Sequence, residues 1–279
     1  MSTWTLVKAV LERSPEDWAA LDEVFDRNGI AGTVQTDQPP TMSGYIYEPS
    51  PDAVETLVSE LKGMGARDVE ISEVAEENWA ESWKQFFVPR RIGERFVIRP
   101  TWEEFPAGEQ DLVIVLDPGQ AFGTGDHPTT RMCLQLMERI SVSGKTIADI
   151  GCGSGVLSIG AHLLGASSIA GVDVEKESVE TSRENAALNQ VPAEFFEGKG
   201  FDPIPGNDQY DVVLSNIISA ALIGLAPTAA DRVKPGGDWI VSGIIEANWP
   251  DVQVAAHRVG FTLQEQLQEN EWVAARFSR

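Results

Sequence analysis

Hydrophobic residues near the start of the chain recur with the spacing of two amphipathic helices. The first pattern begins at Ser14-Pro15 and ends at Gly29, and the second begins at Ser50-Pro51 and ends at Gly65, so both signals repeat after 36 residues. Serine before the first turn, proline within it and glycine after the last apolar residue mark helix boundaries. Short β-prone runs flank the helices, at residues 4–10, 30–36, 45–47 and 69–74. The pattern predicts a small βαββαβ domain of the ferredoxin type over residues 1–74.

From residue 112 onward, β-prone runs alternate with helical patterns, which predicts a parallel α/β sheet over residues 112–279. The last two runs are separated only by Glu269-Asn270, so we expect them to form an antiparallel hairpin. The predicted strands are residues 146–150, 168–173, 193–197, 211–216, 238–244, 262–268 and 271–277. Between the two domains, residues 75–111 are predicted to be a linker that holds a short helix and a basic hairpin turning at Ile92-Gly93-Glu94.

Three alternating glycines follow the strand predicted over residues 146–150. Gly151, Gly153 and Gly155 allow a sharp turn and a close approach of the backbone to a ligand. The helix after them would present unpaired N–H groups at its start. Asp173 lies 18 residues beyond Gly155, at the end of the next predicted strand, where a carboxylate can accept hydrogen bonds from ribose hydroxyls. These residues predict a nucleoside-binding site.

The spacing of the glycines and one further acid indicate which nucleoside binds. A dinucleotide fingerprint reads Gly-x-Gly-x-x-Gly, whereas this turn reads Gly-x-Gly-x-Gly and follows Asp149 by two residues. A carboxylate there opposes a pyrophosphate and suits an ammonium group. S-adenosylmethionine carries a sulfonium, an amino-acid head and an adenosine without phosphate, so we predict it as the cofactor, bound by Asp149, Gly151, Gly153 and Asp173. A dinucleotide-dependent dehydrogenase and a turn with glycines kept only for packing are the alternatives.

Two more segments supply candidate cofactor contacts. Residues 117–130 form a glycine- and threonine-rich loop before a helix, which can fold over a ligand with Phe122 in the loop and Thr130 in the first helical turn. An ordinary surface loop is the alternative. Asn216 ends the fourth predicted strand of the sheet and can hold a ligand or the incoming nucleophile, or simply cap the next helix. The Pro-Pro-aromatic clamp of methyltransferases that act on planar amines is missing after Asn216, which disfavours adenine and glutamine amide as targets.

The chain is strongly acidic, with 21 Lys+Arg against 43 Asp+Glu and a net charge of −22. Residues 1–74 alone hold 14 acidic and 5 basic side chains, which argues against RNA binding by this domain and favours docking of a basic protein; solubility is the plainer explanation. The basic exception is residues 84–99, with five basic side chains and Glu94 as the acidic one. That segment allows a marginal contact with ribosomal RNA, although a solvated strand face is favoured.

The cysteines, histidines and apolar runs bear on the compartment, metal binding and oligomeric state of the protein. Two cysteines, Cys133 and Cys152, do not suggest a disulfide framework, so a reducing compartment fits. The first residues lack the pattern of a secretory signal, and no run approaches 18 apolar residues, so we expect a cytoplasmic protein without a membrane contact. His127 has no partner at ligand spacing, so no metal site is predicted. No heptad pattern requires a dimer, and we expect a monomer.

Three segments together resemble one family: the loop over residues 117–130, the turn Asp149 to Gly155, and Ser215-Asn216-Ile217. They are similar to the PrmA family, bacterial methyltransferases of large-subunit ribosomal protein eleven, and the similarity covers essentially the whole chain. The resemblance implies a class I methyltransferase fold, with a seven-stranded Rossmann-like sheet closed by an antiparallel hairpin. It implies S-adenosylmethionine contacts from Thr130, Gly151, Asp173 and Asn216. It also implies recognition of the ribosomal protein by the amino-terminal domain and N-methylation of its lysine side chains and α-amino group.

We predict no catalytic residue from the sequence. Methyl transfer from a sulfonium to a neutral amine requires alignment of the amine with the methyl group more than a dedicated base. Four alternatives stay open at this point. The chain could methylate another protein, a small-molecule amine or an RNA, or it could be a non-catalytic S-adenosylmethionine sensor.

Overall fold

The computed structural model describes most of the chain. The described residues are 3–12, 18–30, 33–37, 40–47, 49–75, 88–116 and 127–279. The chain divides into two compact units, Met1–Phe86 and Phe87–Arg279. The start signal at Ser14-Pro15, the short helix predicted before residue 84 and the loop that carries Phe122 lie outside the described residues.

The first unit has the element order β1-α1-β2-β3-α2-β4. The elements are β1 (Thr3–Leu11), α1 (Ala19–Arg27), β2 (Thr33–Asp37), β3 (Pro40–Tyr47), α2 (Pro51–Gly63) and β4 (Ala66–Ala75). The strands form an antiparallel sheet of order β2-β3-β1-β4. Ser50 caps α2, and its hydroxyl accepts from the Ala53 N–H at 3.2 Å as its place before Pro51 predicts.

One face of this sheet packs against both helices. Val7 and Ala9 of β1 are buried together with Phe25 of α1 and with Leu57 and Leu61 of α2. Because side chains alternate along a strand, Trp4, Leu6 and Lys8 point to the opposite face. The second predicted strand starts three residues late, at Thr33, because the chain first closes α1 through the Ile30 N–H to Phe25 O hydrogen bond of 3.1 Å.

The second unit begins with a small three-stranded sheet of order β5-β6-β7. Its strands are β5 (Arg90–Ile92), β6 (Phe96–Arg99) and β7 (Leu112–Val115). The β5–β6 hairpin turns at residues 93–95, close to the predicted turn, whereas β7 was not predicted and pairs in parallel with β6. The prediction of a linker over residues 75–111 is therefore corrected for residues 88–111, which belong to the second unit.

A carboxylate anchors this hairpin to the rest of the unit. Glu138, the last residue of α3 (Pro128–Glu138), accepts from the N–H groups of Glu94, Arg95 and Phe96 at 2.9, 2.8 and 3.2 Å. At Gly93, with φ +61°, the left-handed backbone favours glycine, and a β-carbon would lie 2.0 Å from Glu138 Oε2, so that the carboxylate would have to move away from the N–H groups it accepts from. Three N–H groups on one carboxylate explain why the hairpin is part of the compact unit.

The main sheet contains seven strands in the order β10-β9-β8-β11-β12-β14-β13. The strands are β8 (Thr146–Ile150), β9 (Ser168–Asp173), β10 (Glu194–Glu197), β11 (Tyr210–Asn216), β12 (Val233–Ile245), β13 (Thr262–Glu269) and β14 (Trp272–Ser278). The first five strands of this order pair in parallel, and β14 runs antiparallel to both β12 and β13. The predicted closing hairpin is thus present.

Helices cover both faces of the main sheet. They are α3, α4 (Val156–Leu163), α5 (Lys176–Leu188), α6 (Ser219–Arg232) and α7 (Trp249–Arg258), with a short 3-10 helix at Glu246–Asn248. Consecutive residues of β8 serve opposite cores: Ile147 packs with α3, α4 and α5, and Ala148 packs with α6 and α7. Burial on both faces explains why the central strands are apolar runs that the sequence reveals, whereas the edge strand β13 is mostly polar and alternates between exposed and half-buried residues.

Candidate functional site

Three neighbouring strands of the main sheet end beside one another. β9, β8 and β11 are adjacent and parallel, and they end at Asp173, Ile150 and Asn216. In an open α/β sheet, ligands bind outside this carboxyl edge. The structure therefore brings together the described residues that the sequence selected for a cofactor site.

The glycine turn after β8 is fixed by backbone hydrogen bonds and by close packing. The N–H groups of Gly151 and Cys152 donate to Val172 O at 2.8 and 3.0 Å. Gly151 has φ +82°, and a β-carbon on it would lie 2.2 Å from Ile217 Cγ2. The turn therefore needs glycine both for its left-handed backbone and for the approach of Ile217.

Asp173 connects the glycine turn to the end of β9. Its Oδ2 accepts from the Gly153 N–H at 2.9 Å, and its Oδ1 accepts from the Glu175 N–H at 3.1 Å. Each carboxylate oxygen can accept a second hydrogen bond. A half-buried carboxylate held in this way is suited to a pair of hydroxyl groups.

Asp149 lies deeper than the sequence analysis assumed. Its side chain is 0% exposed, and its Oδ2 accepts from Ser158 Oγ at 2.7 Å. Within the described part of the chain, its Oδ1 has no hydrogen-bond donor. Burial, opposed by the hydrogen bonds from Ser158, raises the pKa of Asp149 to about 6. The carboxyl group of Asp149 is therefore fully buried beneath the turn, which the sequence does not reveal, and its contact with a cofactor stays a prediction.

Asn216 is oriented by Thr130 across two elements. The Asn216 amide nitrogen donates to Thr130 Oγ1 at 3.3 Å, and Thr130 is fully buried in the first turn of α3. Asn216 Oδ1 is buried and has no donor among the described residues. The alternative that Asn216 caps the following helix is wrong, because the residue before α6 is Ile218 and no side chain caps that helix.

His127 has a structural position at the start of α3. Its Nδ1 lies 2.7 Å from Thr129 Oγ1, and its ring packs edge-on against Trp272 at 4.7 Å between centroids. Burial and, secondly, the charge of Arg131 lower the pKa of His127 below its usual value. Among the described residues no group of three or more His, Cys, Asp or Glu could hold a metal ion.

Sequence reasoning missed the side chains that support the turn from α5. Ser182 Oγ donates to Gly153 O at 2.8 Å, and the Asn185 amide nitrogen donates to Ser154 O at 2.9 Å. These two residues are three apart and therefore share one face of α5, a spacing that is visible in the sequence. Ser158, the partner of Asp149, was missed as well.

The thiol groups of the two cysteines are not part of the site. Cys133 and Cys152 are both free and buried, and burial raises the pKa of both thiols. None of the described helices is long and apolar enough to cross a membrane.

Comparison with known proteins identifies close relatives. The family model described as ribosomal protein L11 methyltransferase (PrmA) matches residues 16–279. The ribosomal protein L11 methyltransferase of Geotalea uraniireducens is 40% identical over 262 residues, covering 86% of this chain and 82% of that protein. The enzyme of the same name from Bacillus subtilis is 41% identical over 214 residues, covering 76% and 68%. A crystal structure of ribosomal protein L11 methylase from Lactobacillus delbrueckii subsp. bulgaricus has a TM-score of 0.65 at 31% identity, covering 69% of this chain and 99% of that chain.

The close approach at Gly151 gives a first prediction. Gly151→Ala should lower the free energy of unfolding by about 3 kcal/mol, from left-handed strain and from the clash with Ile217. Gly144→Ala is the matched control, since Gly144 has φ +74° but nothing within 4 Å of its β-carbon position, and it should cost only about 1 kcal/mol. Urea denaturation of both variants measures the difference. Equal losses would contradict the steric role of Ile217.

The buried acid gives a second prediction. Because the folded-state pKa of Asp149 is about 6 against an ordinary 3.8, the native state binds more protons between these values. The free energy of unfolding should therefore fall as the pH rises from about 4 to about 6, by about 3 kcal/mol from this group. Asp149→Asn should lack that decrease, so its stability relative to the wild type should grow with pH. A pH-independent difference in urea denaturation would refute the assignment.

Proposed function

The chain belongs to the ribosomal protein L11 methyltransferase (PrmA) family, and we propose that it transfers methyl groups from S-adenosylmethionine to amino groups of ribosomal protein L11. The observation that carries this proposal is the strand-end site: the Asp173 carboxylate, the glycine turn and the Thr130–Asn216 pair lie at one edge of a sheet with the strand order given above. The family match runs through both units, which supports the same activity for the whole chain.

The polar groups of the site fit this methyl donor. Asp173 suits the ribose hydroxyls, and the Oδ1 atoms of Asp149 and Asn216 are buried acceptors without donors among the described residues, as an ammonium-bearing ligand requires. The turn at Gly151 leaves no β-carbon in the way. Two carboxylates around one turn oppose a pyrophosphate, which argues against the dehydrogenase alternative. We also assign cofactor contacts to Thr130, to Gly153 and to Phe122 of the preceding loop.

Alignment is the main task of the chain's own residues. The donor supplies an electrophilic methyl group on a sulfonium. An incoming lysine must be neutral to attack, although its reference pKa is about 10.4; partial desolvation and a nearby cation favour loss of its proton. Asn216, held by Thr130, accepts an N–H of the adjacent amino group and so orients amine and donor. No dedicated base is required.

We assign substrate recognition to the first unit, whose element order and sheet order support a ferredoxin-like fold. The sheet face away from the helices carries an aromatic and apolar cluster: Trp4 lies opposite Tyr47 and Leu6 opposite Tyr45, and the Trp4 and Tyr47 rings are 5.0 Å apart. Glu70 lies on the same face and forms a 3.1 Å ion pair with Lys8 of the neighbouring strand. An acidic unit with such a face suits a basic protein partner.

Contact of the basic hairpin with ribosomal RNA has less support. Arg91 forms a 2.7 Å ion pair with Asp111, and Arg95 and Arg99 donate to carbonyls of their own unit. Arginines already engaged in this way are less available to phosphate groups.

The function is tested by incubating the full chain with labelled S-adenosylmethionine and, separately, with ribosomal protein L11, other ribosomal proteins, ribosomal RNA and small amines. Mass spectrometry should locate new methyl groups on amino nitrogens of ribosomal protein L11. Methylation of only RNA or of only a small amine would replace the proposal with one of those activities. Donor binding without any transfer would favour the sensor alternative.

The ribose contact gives a further prediction. Asp173→Ala should raise the Kd of S-adenosylhomocysteine about 100-fold, because charge-assisted hydrogen bonds are lost. Asp173→Asn keeps an acceptor for the Gly153 N–H and should lose less affinity for S-adenosylhomocysteine than Asp173→Ala. The difference between the two variants separates the ribose contact from the support of the glycine turn. Glu175→Ala, at the exposed neighbouring acid, should leave the Kd unchanged. Calorimetry that shows the same affinity for Asp173→Ala and wild type would disprove the role.

A further inference from the structure

Exposed aliphatic side chains lie at the carboxyl edge beside Asn216. Ile218 is 71% exposed and comes two residues after Asn216, just beyond β11. Ile245 is 44% exposed and is the last residue of β12, the neighbouring strand. Both therefore flank the site on the side opposite to Asp173, since β9 lies on the other side of β8.

Ile218 does not stabilise the helix that it precedes. It is the N-cap of α6, with φ −60° and ψ 148°, and α6 has no side-chain cap hydrogen bond. Serine, threonine, aspartate or asparagine at an N-cap stabilises a helix by about 1 kcal/mol relative to an aliphatic residue. Ile245 similarly precedes the 3-10 helix at Glu246–Asn248 without a side-chain cap. An exposed aliphatic residue that neither caps a helix nor interacts well with water indicates a functional requirement at its position.

The backbone around Ile218 is held close to β12. The Ile217 N–H donates to Ser242 O at 3.1 Å. Gly243 has φ +82°, and a β-carbon there would lie 2.5 Å from Ile217 O. Ile217 also contacts the position of a Gly151 β-carbon. The chain leaving β11 is thus fixed on both sides, and Ile218 follows directly from this fixed point.

Two acidic residues lie next to Ile245. Glu246 follows Ile245, and its N–H donates to Glu271 O at 2.8 Å, which brings two exposed acidic residues to the same edge. An aliphatic surface with adjacent carboxylates complements a hydrocarbon stem that ends in a cation. Among protein side chains, that is the chemistry of lysine.

We propose that Ile218 and Ile245 form the substrate-side wall of the site, which receives the methylene stem of a lysine and so favours an alkyl amine over a planar amide or base. This inference rests on the proposed function and names the residues that select the substrate. The wall holds the stem by burial of apolar surface, while Asn216 orients the nitrogen.

The test is Ile218→Ser, assayed as the full chain with ribosomal protein L11. The KM for the protein substrate should rise about tenfold, because one aliphatic contact is lost. The Kd of S-adenosylhomocysteine should not change, and the melting temperature should stay the same or rise, because serine can cap α6. Ile218→Leu should restore the wild-type KM. Ile223→Ser, at a residue of α6 that is 38% exposed and five positions further on, is the matched control with unchanged KM.

Three outcomes would overturn the inference: an unchanged KM for Ile218→Ser, an equal loss of donor affinity, or a clear fall in its melting temperature. The last would mean that Ile218 serves packing instead. Failure of the proposed function is distinguishable, because the wild type itself would then not methylate ribosomal protein L11.

Discussion

The site depends on the close packing of backbone around Ile217. A β-carbon on Gly151 would meet the Ile217 side chain at 2.2 Å, and one on Gly243 would meet Ile217 O at 2.5 Å. Glycines at these positions allow the exits of β8, β11 and β12 to converge above the sheet. Adjacent parallel pairing brings the buried acid of β8 and the amide of β11 to one edge, and the two glycines allow the chain after β11 to pass close to the turn after β8.

The two carboxyl groups near the glycine turn lie in different environments. Asp149 is buried with Ser158 as its hydroxyl partner, so its charge is disfavoured until a cation approaches. Asp173 is instead held at the rim by hydrogen bonds from two backbone N–H groups. The proposed function gives these two acids separate roles, because the buried acid would interact with the cationic head of the methyl donor and the acid at the rim would accept its ribose hydroxyls. A net charge of −22 would likewise favour the approach of a basic protein partner.

Much of the fold could be predicted because the central strands of a sheet that is buried on both faces are apolar runs, whereas the edge strand β13 is mostly polar and alternates between exposed and half-buried residues. β8 and β9 occupy the predicted residues without change, and β14 is displaced by one residue. The sequence does not predict β7, because four apolar residues without a turn signal do not reveal a pairing with β6. The β5–β6 hairpin that β7 pairs with is itself held by Glu138, which is far away in sequence. Residue types at the site were predictable from the glycine spacing and the following acid. The depth of Asp149 and the Thr130–Asn216 hydrogen bond were not, because they arise from packing between elements that are far apart in sequence.

The most direct test of the account is a crystal structure of the chain with S-adenosylhomocysteine. The account predicts that the ribose hydroxyls lie within about 3 Å of the Asp173 carboxylate, and that the ligand's amino group donates to Oδ1 of Asp149 or Asn216. A ligand bound elsewhere, or one that leaves both oxygens without a donor, would contradict it.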